Sequence, residues 1–552
     1  MDTAVIGLDF GSLSCRGVLV SPADGRILAE AVRPYEHGVL GCLPDGSPVP
    51  EGFVLQDPRD FTAAMAGTVR DLMNAPDARD VLVTALGIDT TASTLIPVRR
   101  DLTPLCAEER FSADPRAYAV MWKDHRAVRE ASMLTEALRR ADPAWLGRLG
   151  GSVGAESLIA KAAHICLNAP MVYEAAFAFM ELGDWLCSLL AGRPIMSLTT
   201  LTCKDLYREG MGYPDTAFFE TIDPQLGNLP RRLMPWGREQ AALGHPGEPA
   251  GVLCPAMAAW LGLPEGVILT FAQMDGYAGL PGAGISEPGE LLMTVGTSTG
   301  FFLLSGKDRG VHGVCAAVPG SMLPGFTGIA AGQAASGDAF QWYVDHAVPA
   351  AYQRAAAEAG LDIHSWLCER VRALPDSAPH PIALDWLNGN KSPLNRPDLD
   401  AAIIGLTLGT KPEQIYRALM ESTAFGARWI VETLAAQEIP VTRILVNGGI
   451  ALKNPLLMQL YADVLGRPLA VTGCAQTAAL GSAMAAAAAA EREGYRRWPE
   501  IIRRMAPGMV AEYRPRPEKR ALYDGLYRKY RRLAELLKDD AELHAGRMNH
   551  VS

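Results

Sequence analysis

The stretch Val446-Asn447-Gly448-Gly449-Ile450-Ala451-Leu452-Lys453-Asn454-Pro455 constrains this chain more than any other. The apolar run over 443–446 predicts a buried strand, and the residues from Pro455 onward predict a helix over 455–465. A glycine pair stands between them. Strand, glycines and helix N-terminus in succession leave bare backbone where a flat or anionic ligand can approach. Two more turns of related design lie near Asp9 and near Gly296, with Asp275 alone between them.

At 552 residues the chain exceeds what one hydrophobic core supports, so two or more domains are expected. Its formal net charge of -10 disfavours non-specific nucleic-acid binding and favours a small-molecule ligand. An anionic nucleotide is still compatible, because local backbone dipoles and Mg2+ can overrule a global charge. The 10 cysteines are scattered, without CxxC or Cys/His metal spacing, so a zinc site is not expected and buried thiols in a reducing cytosol are. No basic region followed by an apolar core opens the chain, so no signal peptide is expected and the location reads as cytoplasmic. The Ala-rich run ending at 490 is too short to span a bilayer and predicts a buried helix. Neither a nucleic acid nor a membrane is expected as a partner. The sequence is compatible with a homodimer and does not specify one.

Along the chain, residues 4–35 predict three short strands joined by turns. A helix over 58–73 and a strand over 81–89 follow, the strand ending in Asp89. Residues 115–240 read as mostly helical, with one helix over 173–190, and Trp122-Lys123-Asp124-His125-Arg126 reads as a polar helix start. A strand over 267–271 leads to Asp275-Gly276 and a tightly packed helix. Near Ser286-Glu287-Pro288-Gly289 a new unit begins, with strand, Gly/Ser/Thr turn and strand again, in the pattern of residues 5–20. This suggests an internal duplication. Helices over 412–436, 455–465 and 477–491 complete the second unit. The charged, periodic segment 518–542 predicts an amphipathic outer helix, with the residues past about 543 frayed.

The turns carry the chemistry. Gly7 through Gly17 packs a carboxylate, glycines, hydroxyls and a guanidinium into eleven positions, where Gly11, Ser12, Ser14 and Arg16 could hold phosphate and Asp9 could hold Mg2+ through water. The alternative is a plain hairpin with a polar turn. Gly296 and Thr297 open a second hydroxyl-rich turn suited to terminal phosphates, unless it is only a hairpin tip. Gly448, Gly449 and Asn454 could cover adenosine, or simply form a helix entry. No GxxxxGK[ST] run occurs, so the P-loop route is absent. Asp275, at a strand end against a helix start, could accept a hydroxyl proton in phosphoryl transfer, or be half of a turn dipeptide. Lys204 and the turn from Asp89 to Thr94 could bond sugar hydroxyls, or be ordinary surface and turn structure.

With these residues in view the chain resembles the FGGY-type carbohydrate kinases, of the two-domain actin/hexokinase/heat-shock-ATPase α/β fold, and within them the ribulokinases. The resemblance runs over nearly the whole length. It rests on Asp9-Phe10-Gly11-Ser12, Leu86-Gly87-Ile88-Asp89, Gly296-Thr297-Ser298-Thr299, Ala331-Gly332-Gln333 through Asp338, Asp385-Trp386-Leu387-Asn388-Gly389-Asn390-Lys391-Ser392-Pro393 and Gly448 through Gly466. It implies an interdomain cleft. Residues 1–286 would bind sugar, 287–495 would bind ATP, and 496–552 would form a helical extension. It implies Asp275 as catalytic base, Asp9 as the Mg2+-associated carboxylate, and Ala92, Lys204, Asp275 and position 330 at the ketopentose. Three departures from the family pattern stand near the sugar: Ala330 replaces a Glu, Thr90 a Phe, and Gly276-Tyr277 an Ala-His pair. The expected activity is ATP-dependent phosphorylation of an L-ribulose-like ketopentose on its terminal hydroxyl. The alternatives are a kinase for D-ribulose, xylulose or a polyol, or a nucleotide-gated switch that has lost catalysis.

Overall fold

The computed structural model describes residues 2–491 and 493–540. Its first sheet grows around the strand Asp2–Phe10, whose Val5, Ile6 and Leu8 are fully buried. On one side Ser14–Val20 and then Ile27–Pro34 pair antiparallel. On the other, Val81–Thr90 and Ile268–Thr270 run parallel, and Pro249–Val252 closes the edge antiparallel. The short strand Gln273–Met274 continues beside the end of Val81–Thr90.

The second sheet repeats this plan. From its central strand Glu290–Val295, two antiparallel strands, Thr299–Ser305 and Thr327–Gln333, lie on one side. Two parallel strands, Arg443–Asn447 and Leu469–Thr472, lie on the other, with Met509–Tyr513 antiparallel at the edge. The second sheet adds Ala316–Pro319 beyond this plan. The strand–turn–strand pattern noticed at two places in the sequence therefore extends to six strands in order and sense.

In each unit a helix follows the outer parallel strand: Asp275–Gly282 in the first and Thr477–Ala490 in the second. The two helices cross between the sheets at backbone distance. A Cβ at Gly282 would lie 1.9 Å from the Thr477 carbonyl oxygen, and one at Gly481 1.8 Å from that of Ala278. The same helix presses on the first sheet, where a Cβ at Gly7 would lie 1.9 Å from the Ala479 oxygen and one at Gly87 2.1 Å from that of Ser482. Only residues without a side chain allow such an approach. This explains the Ala-rich composition: from Ala479 to Ala488 the helix is buried on every side.

The helices Pro58–Met73, Pro412–Ala436 and Pro455–Leu465 begin and end where the sequence predicts. Proline at the first turn and a capping Asp57 or Asn454 fix two of their starts. The predicted helix over 173–190 is instead broken into a helix Pro170–Ala175, a strand Ala178–Glu181 and a helix Leu182–Ala191. The strand pairs with Leu95–Val98 and buries all four of its residues, so tertiary pairing overrides local helical preference. Trp122 lies in a turn ahead of the helix Val128–Ala141 and does not begin one. The closing helix spans Arg520–Leu537 and buries Tyr523, Tyr527 and Tyr530 as its period predicts. Glu542 and the end past 543 lie outside the described residues. Among the described residues no helix is long and apolar enough to cross a membrane.

Candidate active site

Three carboxylates meet at the carboxyl ends of three neighbouring parallel strands, where open α/β sheets place their ligands. Asp9 stands opposite Asp89 in register, Gln273 is also opposite Asp89, and Asp275 follows two residues later. Asp9 and Asp89 are buried. Arg16 reaches Asp9 at 3.5 Å. Asp89 accepts a 2.6 Å hydrogen bond from Ser482 through Oδ2, while its Oδ1 has no protein partner.

Burial lifts the Asp89 carboxyl well above its usual range, and the charge of Asp9 lifts it further. Burial also raises Asp9, against the pull of Arg16. Two adjacent buried carboxylates need a shared proton or a cation between them. The orphaned Oδ1 of Asp89 beside Asp9 therefore fits a divalent cation. Among the described residues no third ligand completes the group. That agrees with Mg2+, which takes one or two carboxylates and fills its shell with water and phosphate oxygens.

Asp275 opens its helix and remains partly exposed. Its Oδ1 accepts the Gly276 N–H at 2.7 Å, which leaves the other oxygen for a substrate hydroxyl. Burial first, then the charge of Asp9, raises this carboxyl to about 6, against the Gly276 N–H, Lys204 and Arg16. A carboxylate so placed is ionised at neutral pH yet basic enough to take a proton.

The residues at positions 276, 277 and 330 form one packing unit. A Cβ at Gly276 would lie 2.4 Å from the Phe302 ring. Phe302 stands opposite Ala330 in register, and Tyr277 meets it edge-on at 5.8 Å. Tyr277 in turn sends its hydroxyl toward Cys203 Sγ at 3.8 Å. The phenyl ring thus occupies the space that the side chain of an alanine at 276 would need. Thr90 is fully buried, and a Cβ at Gly183 would lie 3.3 Å from its hydroxyl oxygen.

Lys204 ends the helix Leu198–Lys204, and its Nζ lies 3.7 Å from Glu156 Oε1. Ala92 borders the same apolar cluster as Ala330, Cys203 and Tyr277. Its turn is held by Lys161, whose buried Nζ donates to the carbonyls of Ser93 and Met121 at 2.6 Å each.

The glycine turns of the second unit lie side by side. Thr294 is paired with Asn447, and a Cβ at Gly448, whose φ is 101°, would lie 2.4 Å from the Val295 oxygen. Gly296 accepts from Gly337 N–H and Thr297 from Ser336 N–H, so this turn rests on the start of the helix Gly337–His346. A Cβ at Gly449 would meet nothing within 4 Å. Asn454, read as a nucleoside contact, is engaged at both ends: it caps Leu457 N–H at 3.0 Å and donates to Cys368 Sγ at 3.4 Å. In the first turn Gly11 N–H bonds the Ser14 carbonyl, and Ser12 accepts from Trp122 Nε1 at 3.2 Å. The two sides meet at the helix that Asp275 opens, where a Cβ at Gly279 would lie 3.7 Å from Asn447 Nδ2.

Glu156, Lys161 and Ser482 carry no local signature in the sequence. Each is recruited by partners tens to hundreds of positions away.

Residues 291–490 match the model of the C-terminal domain of the FGGY family of carbohydrate kinases. A ribulokinase of Geobacillus thermodenitrificans is 38% identical over 533 residues, covering 96% of this chain and 93% of the relative. One of Mycolicibacterium smegmatis is 35% identical, covering 95% and 92%. Among solved structures, a xylulose kinase of Rhodospirillum rubrum superposes with a TM-score of 0.73 at 22% identity, over 97% of this chain and 99% of that one. A Plasmodium falciparum glycerol kinase with ADP gives 0.72 at 16% identity, over 96% and 97%. At these identities the structural matches speak for the fold alone.

Proposed function

Because the chain belongs to the FGGY family of carbohydrate kinases and is an ATP-dependent kinase of pentuloses, we propose that it phosphorylates an L-ribulose-type ketose on its terminal hydroxyl with Asp275 as the base. The observation that carries this assignment is the convergence of Asp9, Asp89 and Asp275 on adjacent strand ends beside Arg16 and Lys204. The free oxygen of Asp275 takes the proton of the sugar hydroxyl as that oxygen bonds to the terminal phosphorus and the bond to the departing ADP oxygen breaks. Little else is asked of the protein, since phosphoryl transfer depends chiefly on alignment and charge. Mg2+, held by Asp9 and Asp89, would neutralise phosphate charge. The turns at Gly11, Gly296 and Gly448-Gly449 would offer backbone N–H groups to the phosphates and nucleoside. In this assignment residues 1–286 bind sugar, 287–495 bind ATP and 496–552 extend the second unit.

The apolar wall of Phe302 and Ala330 favours a second reading, a kinase whose preferred ketose is D-ribulose or xylulose. ADP release measured over a panel of ketoses and polyols tests both. Sugar-dependent turnover is expected, with kcat falling ~100-fold or more in Asp275→Asn. Turnover that ignores sugar, or an Asp275→Asn enzyme as fast as the wild type, would overturn the assignment.

A further inference from the structure

The strand Thr327–Gln333 turns one face toward the first unit, and that face is apolar at Ala330, with Phe302 and Ala316 as its cross-strand neighbours. A ketose bound there finds no hydroxyl partner on this stretch of wall. Its partners must come from elsewhere along the same face. Gly332 lies two residues on, about 7 Å away by strand rise, and shares that face. The space a Cβ at Gly332 would point into is occupied by the stem of Lys391, 3.3 Å away.

Glu156 belongs to the first unit. Its carboxylate lies 3.7 Å from Lys204, longer than a hydrogen bond, and the two side chains stay 26% and 28% exposed. The same lysine lowers the Asp275 carboxyl, so one cation serves both Glu156 and the proposed base. Burial alone would raise its carboxyl, but Lys204 and Lys391 outweigh that and hold it down to about 2. It is therefore a hydrogen-bond acceptor at every working pH, loosely paired with Lys204 and under the charge of a lysine from each unit. The loop that carries it is anchored by the second unit. Asn395 donates to the Gly150 carbonyl at 2.9 Å and to Ser152 at 3.1 Å, and a Cβ at Gly150 would lie 2.4 Å from the Val314 oxygen. Nearby, Arg148 pairs with Asp308 at 2.6 Å.

We propose that Glu156, beside Lys204, is the carboxylate that accepts hydrogen bonds from hydroxyls of the bound ketose and sets which ketose this enzyme prefers. The inference rests on the kinase reading above. A sugar hydroxyl entering between Glu156 and the lysines replaces a loose ion pair with short, charge-assisted hydrogen bonds. The seat is complete only when the two units are together, since Lys391 comes from one and Glu156 and Lys204 from the other.

Steady-state kinetics of the full-length enzyme test this with L-ribulose, D-ribulose and xylulose in turn. Glu156→Gln should raise KM for the preferred ketose at least tenfold, leave kcat and KM for ATP within about threefold, and compress the differences in kcat/KM among the three sugars. Lys391→Met should act in the same direction and serves if the first variant fails to fold. Asn395→Ala, which loosens the loop without touching the seat, should move the three sugars in parallel. Unchanged KM and unchanged sugar ratios in Glu156→Gln and Lys391→Met would overturn the proposal, as would equal losses toward ATP and ketose. A wild-type enzyme inert toward all ketoses would instead overturn the kinase reading itself.

Discussion

Ser482 and Asp89 stand 393 positions apart in the chain and share a 2.6 Å hydrogen bond, fully buried, at the crossing of the two units. The serine comes from the helix Thr477–Ala490 of the second unit, and the aspartate from the sheet that carries Asp9 and leads to Asp275. One bond thus ties the carboxylate cluster to the half of the molecule expected to hold the nucleotide. Ser482→Ala removes the donor and leaves a second oxygen of a buried carboxyl without a partner. It should cost about 1–3 kcal/mol of stability and lower kcat several-fold. Thermal melts and initial rates check this; a variant matching the wild type in both would show the bond to be incidental.

The Asp275 carboxyl is raised to about 6, chiefly by burial and then by Asp9. In its proposed role as base Asp275 works only when ionised, so kcat/KM should fall about tenfold per pH unit below 6 and level off above it. The same shift fixes a stability effect. The folded state binds this proton more tightly than the unfolded state, so its ionised form costs stability above pH 6 and the cost vanishes below the unfolded value near 4. Asp275→Asn should therefore melt at a higher temperature than the wild type at pH 7.5, with the gap closing as the pH falls toward 4. An acid limb near 4 in the rate profile would contradict the shift.

Gly276 and Phe302 are predicted to be a compensating pair. Gly276→Ala places a Cβ 2.4 Å from the ring and must displace it, at about 1–3 kcal/mol. Phe302→Ala creates the room. The double variant should be more stable than the sum of the single losses predicts, by more than ~0.5 kcal/mol. Additive losses in denaturation experiments would mean that the ring moves aside freely.

Lys161 braces the Ala92 turn. Its Nζ donates to the carbonyls of Ser93 and Met121, which lie under the Ala92 turn and beside Trp122. Lys161→Met leaves the buried Ser93 carbonyl without this donor, while Met121 keeps the Asp124 N–H, so a loss of about 1–3 kcal/mol is expected. KM for the ketose should rise because the Ala92 turn loosens. A stable variant with unchanged KM would remove Lys161 from any part in shaping that turn.

Gly87 is a packing contact between the units. A Cβ there would lie 2.1 Å from the Ser482 oxygen, which is backbone and cannot swing away. Gly87→Ala should push the Ala-rich helix off the sheet, cutting kcat more than tenfold and lowering the melting temperature, measurable by differential scanning fluorimetry and initial rates.

The sequence by itself determined the strands that end in Asp9 and Asp89, the helices that start at Pro58, Pro412 and Pro455, the glycine turns, and Asp275 as the carboxylate to watch. These features are local: an apolar run, a cap and a proline, or a glycine before a helix each act within a few residues, so their physics is written in consecutive letters. What only the tertiary structure decided is which of those features meet. The six-strand repetition, the pairing that turns 178–181 from helix to strand, the Phe302 ring that accounts for Gly276, the bond from Asn454 to Cys368, and the Glu156–Lys204 pair all arise from contacts between distant segments. Burial and the electrostatic coupling of side chains depend on distance in space, and no reading of neighbours along a chain supplies that distance.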